Sequence, residues 1–81
     1  MKLILSTENT GTESQDQVIE LAIIDADTTQ TLFNQRFKPS VFIKEQAASV
    51  HGITLGALAH IKTWADYHDH ILEIIKNAES I

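Results

Sequence analysis

The sequence predicts an α/β domain in which three strands come first and helices follow. Three observations predict it. The run VIELAII at residues 18–24 is almost continuous Val, Ile and Leu, the composition of a buried strand. A shorter apolar run precedes it, and an alternating run with two aromatic residues follows. Beyond Pro39 the apolar residues recur at helical spacing instead.

Each element has its own justification. Residues 2–5 (KLIL) form a short apolar strand. Residues 9–17, rich in Asn, Thr, Gly and Ser, form a turn or hairpin loop. Residues 17–25 form a strand expected to be buried on both faces. Residues 26–30 are a polar turn. Residues 31–38 form a third strand carrying Leu32, Phe33 and Phe37, and Pro39 ends it because it offers no N–H to a ladder. A short helix over 44–50 stops at Gly52. Thr54 can cap a second helix over 54–59, and Thr63 a longer one over 63–78. In that last helix Trp64, Tyr67, Ile71, Ile74, Ile75 and Ala78 make an apolar stripe. NAESI at 77–81 reads as the entry to a further strand.

Composition sets bounds on function. The 81 residues suffice for one small domain, which buries only about 60% of the surface of its unfolded chain. The absence of cysteine excludes disulfides and thiolate zinc sites. No run is long enough to span a bilayer as a helix, and no signal peptide opens the chain, so a cytoplasmic location is expected. Net charge is −5, with six Lys and Arg. That balance argues against a non-specific nucleic-acid binder that works without metal, and any affinity for nucleic acid is expected to be weak.

Three segments carry chemistry: STENTG at 6–11, DQVIELAIID at 16–25 and ASVHGIT at 48–54. In this order and spacing they resemble the motifs of the DEDD-type, DnaQ-like 3′–5′ exonucleases, roughly D-x-E-T-T-G, D-x-I-I-E-I-G-A and A-x-x-V-H-G-I-T. The likeness is to the N-terminal half of the proofreading (epsilon) subunit of bacterial DNA polymerase III and its relatives. It implies the N-terminal half of a ribonuclease-H-like fold. It also implies hydrolysis of a 3′-terminal phosphodiester with Mg²⁺ or Mn²⁺. Two hard cations held by carboxylates stabilise the attacking hydroxide and the leaving oxygen.

Carried over by position, Glu8 matches the family's metal-binding Glu, while Ser6 stands where the family has a bridging Asp. A neutral hydroxyl supplies neither the charge nor the bridging geometry of a carboxylate. Thr10, Gly11, Val50 and His51 match residues near the family's terminal-nucleotide pocket. The family's later acidic motifs, resembling N-A-x-F-D and H-x-A-x-x-D, have no counterpart here. Glu8 is thus a vestigial metal ligand, and no metal is expected to be held. The expected function is a truncated or degenerate exonuclease domain, inactive alone. The alternative is a non-catalytic interaction or regulatory module. The resemblance also implies an open, apolar edge on the first strand. A homodimer, strand pairing with another chain, or a polymerase or exonuclease partner is therefore expected.

Three other features read as structural. Glu20 interrupts an apolar strand, where a charge needs donors. His68 and His70, two apart on a helix, point to different faces and do not share a metal. Trp64 and Tyr67 read as core and rim of the helix, because Lys62 alone gives thin support for a base-stacking surface.

Overall fold

A computed structural model describes residues 2–78. The chain runs β1 (Leu3–Asn9), β2 (Val18–Asp25), β3 (Thr31–Arg36), α1 (Glu45–His51), α2 (Leu55–Leu58) and α3 (Trp64–Lys76). The strands make an antiparallel sheet in the order β1-β2-β3. Leu5 pairs with Ile23, and Ile23 in turn with Phe33. The first strand runs past the expected residue 5 to Asn9. Its polar half, Ser6 to Asn9, pairs with β2 from Ala22 back to Val18. Backbone hydrogen bonds carry the strand onward where side-chain hydrophobicity has stopped.

Burial shows which face is covered. Leu3, Leu21, Ile23 and Phe33 project to one side, where Phe37 and Ile71 join them, with Tyr67, Ile74, Ile75 and Ala78 packed alongside. Ile19, Ile53 and Leu58 form a smaller cluster that seats α2. Fully burying residues such as Ile19 and Ile23 stabilises by roughly 1.5–3 kcal/mol each. The expected burial of β2 on both faces is corrected here. Ile19, Leu21 and Ile23 are buried, while Val18, Glu20, Ala22 and Ile24 are only partly so. Among the described residues α2 and α3 pack on one face, so the alternation is that of a half-covered sheet. On the second face Ile4 is 54% exposed.

The helices begin where their caps dictate. Thr54 Oγ1 accepts from the Ala57 N–H, 3.3 Å away. At α3, the Asp66 carboxylate accepts from both the N–H and the hydroxyl of Thr63, at 2.9 and 3.1 Å. These bonds, the backbone one foremost, hold the Asp66 carboxyl below its ordinary range. The expected strand entry at 77–81 falls partly on residues 79–81, outside those described; Asn77 caps α3. No helix among the described residues is long and apolar enough to cross a membrane.

Candidate active-site groove

β1 ends where α1 returns beside it, and the two enclose a groove of about 370 Å³. One wall carries Glu8, Gly11 and Glu13; the other carries Lys44, Val50 and His51. The fold thus brings together Glu8, Gly11, Val50 and His51, which lie up to 43 positions apart (51 − 8). Val50 is 84% exposed at the groove mouth.

Thr10 sits behind this wall rather than on it. It is fully buried. Its hydroxyl donates to Asp16 Oδ1 at 2.9 Å and accepts from the Gln17 N–H at 2.9 Å. Its backbone N–H donates to the Gln17 carbonyl, and its carbonyl accepts from the Lys44 N–H at 2.8 Å. Every polar atom of Thr10 is therefore used in joining β1 to β2 and to the start of α1.

Asp16 is the centre of this knot. Its carboxylate lies 2.8 Å from Lys44 Nζ, and its side chain is 4% exposed. It also accepts from the Glu13 N–H at 3.0 Å. The hydrogen bond from Lys44 is the chief cause that holds the Asp16 carboxyl below its ordinary range, followed by that from Glu13. The same contact with Asp16 raises the Lys44 ammonium. The bond from Gln15, and then that from Lys44, lowers Glu13. Gly11 lies against this pair. A Cβ built there would collide with the Asp16 carboxylate and fall 2.7 Å from Lys44 Cδ. Glycine is therefore required by close approach. The sequence marks Asp16 only as the first residue of the DQVIELAIID segment; its partnership with Lys44 is not legible, because it spans 28 positions and no local spacing announces it.

His51 closes the other end. Its Nδ1 accepts from the Ile53 N–H at 2.9 Å, so Nε2 bears the proton and donates to the Asn9 carbonyl at 3.1 Å. With both nitrogens occupied, His51 ties α1 to β1 and is not placed to act as a general base. Gly52 follows at φ 70°, the left-handed conformation that ends α1.

The carboxylates decide what the groove can do. Glu8 faces the groove, while Glu13 is held by Lys44 at 3.3 Å. Ser6 lies two residues before Glu8 on the same sheet face and is exposed. Among the described residues no group of three or more His, Cys, Asp or Glu side chains is placed to hold a metal ion. These donors do not fit a two-metal centre, which needs several carboxylates about two hard cations. Glu20, across the sheet from Glu8, instead accepts from Arg36 Nε at 3.2 Å. His68 lies 3.4 Å from Asp69, and His70 packs its ring on Phe33, so the two are apart as their spacing requires.

No family model matches the chain. It is 27% identical over 73 residues to the uncharacterized exonuclease CP81 of Escherichia phage 186, covering 90% of this chain and 37% of that protein. Among solved structures it is similar to Exonuclease X in complex with 5′ overhanging duplex DNA. That match has a TM-score of 0.74 and 25% identity, and covers 88% of this chain and 43% of the other. The nuclease domain of 3′hExo, a DEDDh family member bound to rAMP, matches with a TM-score of 0.65 and 17% identity, covering 96% and 46%. The chain thus spans less than half the length of these relatives. Its meander sheet and following helices match part of their ribonuclease-H-like exonuclease domains. In sequence the chain is thus similar to a phage exonuclease and to Exonuclease X, and in fold to part of the ribonuclease-H-like exonuclease domains.

Proposed function

We propose that residues 1–81 are a degenerate part of a 3′–5′ exonuclease domain and do not hydrolyse nucleic acid by themselves. The observation that supports this reading is the groove's donor set: Ser6 stands two residues before Glu8, and the nearby carboxylates Glu13 and Glu20 are engaged by Lys44 and Arg36, which leaves Glu8 as the open one. Family chemistry needs divalent metal, and one open carboxylate gives it little purchase. The knot of Thr10, Asp16 and Lys44 preserves the groove's shape without preserving its ligands. The test is degradation of 3′-labelled single-stranded DNA with Mg²⁺ or Mn²⁺. The pure chain should leave the label intact, and Ser6→Asp alone should not restore activity. Metal-dependent loss of label from the parent chain would overturn the proposal.

A second reading has its own support. Among the described residues β1 has a strand neighbour on one side only, and Ile4 is exposed on the adjoining face. An edge of this kind adds strands from other chains. In this reading the chain is a pairing module, either with itself or with a polymerase or exonuclease partner.

A further inference from the structure

Away from the groove, the fold assembles cations and aromatic rings that are scattered in the sequence. The Lys38 N–H donates to the Lys62 carbonyl at 2.9 Å, which sets the end of β3 against the residues that enter α3. Lys62 Nζ lies 5.9 Å from the centre of the Tyr67 ring. Arg36 and His60 border the same shallow depression as Tyr67, and Lys38 borders the next one with Trp64. Three of the chain's six Lys and Arg residues thus line two depressions joined by the Lys38–Lys62 backbone bond, in a protein whose net charge is −5. Two acids accompany them, and both are engaged: Glu20 with Arg36 and Asp66 with Thr63.

The rings are held firmly. Phe37, 1% exposed, meets Trp64 at 5.1 Å and 70° and Tyr67 at 5.6 Å and 65°. Trp64 keeps 39% of its surface in solvent although it opens an otherwise inward-facing stripe. A packed, partly exposed indole that shares a depression with Lys38, next to the Lys62–Tyr67 pair, has the elements on which single strands bind without sequence preference. Bases stack on the rings while cations neutralise phosphates. We propose that Trp64, Tyr67, Lys38 and Lys62 form an accessory site for single-stranded nucleic acid. It shares no lining residue with the groove and does not rest on the groove's activity.

Trp64 is the chain's only tryptophan, so its fluorescence reports on this surface alone. The intact chain is titrated with a short oligothymidylate in EDTA at low salt. Saturable quenching is expected, and log affinity should fall with log salt concentration at a slope of about −1.4, as neutralising about two phosphates with Lys38 and Lys62 requires. Joint replacement Lys38→Ala and Lys62→Ala should weaken binding roughly tenfold, whereas Lys76→Ala, on the far end of α3, should change it less than about twofold. Unchanged melting temperatures check that the variants fold. Absence of quenching, equal binding by the double variant, or an equal loss with Lys76→Ala would overturn the site. So would inorganic polyphosphate competing as tightly as the oligonucleotide, since stacking would then contribute nothing. EDTA abolishes metal-dependent cleavage, so this result and the nuclease assay fail independently.

Discussion

At the scale of single residues, the motif residues hold the frame of the groove. Thr10, Gly11 and His51 match the family motifs, and each has a structural role. Thr10 is buried and fully bonded, Gly11 makes room for the Asp16–Lys44 pair, and His51 joins two elements. Asp16 supplies a test. Its carboxyl is depressed in the folded protein, so its stabilisation is present above the unfolded value, near 4, and is lost as pH falls through the lower folded value. Asp16→Asn should therefore melt below the parent at neutral pH, and the gap should close as the pH drops below about 4. A gap independent of pH, measured by thermal melts at several pH values, would show that the charge is not what matters. None of this pairing is readable from the sequence. The motif singles out Gly11, but the reason for a glycine there lies in two side chains that arrive from elsewhere.

At the scale of elements, legibility follows the physical source of each signal. Val18 to Asp25 is plain, because β-branched residues dominate it, and Thr54 and Thr63 mark helix starts through their side chains. The polar half of β1 is hidden because its order comes from pairing with β2. The helical stripe assigns Trp64 to the core, yet its place at the entry to α3 leaves it half in solvent. The β2–β3 turn holds another surprise. Asp25 Oδ1 accepts from the Asp27 N–H at 2.9 Å, and Thr29 is left at φ 62°. A β-branched residue is strained there, by about 1–2 kcal/mol. Asparagine visits this conformation readily, so Thr29→Asn should raise stability by about 1 kcal/mol. Chemical denaturation would check it, and a loss of stability would refute the strain.

At the scale of the whole molecule, one sheet face is covered, and β1 and β3 each have a strand neighbour on one side only among the described residues. Such a sheet should associate. Sedimentation should show concentration-dependent growth beyond a monomer, and Ile4→Lys should reduce it by placing a charge on the exposed face. A clean monomer at high concentration would rule out self-pairing. The fold class is legible because it depends on the order of patterns along the chain. The groove's contents are legible only as motifs, because what each residue does there is decided by neighbours far away in sequence.

The bond from His51 to the Asn9 carbonyl spans 42 positions, whereas the strands pair with their sequence neighbours. Loop closure makes distant contacts slower to form than local ones. The order of events during folding should follow: the meander closes first, and the cleft beside Glu8 comes into being only when the chain past residue 44 returns to it.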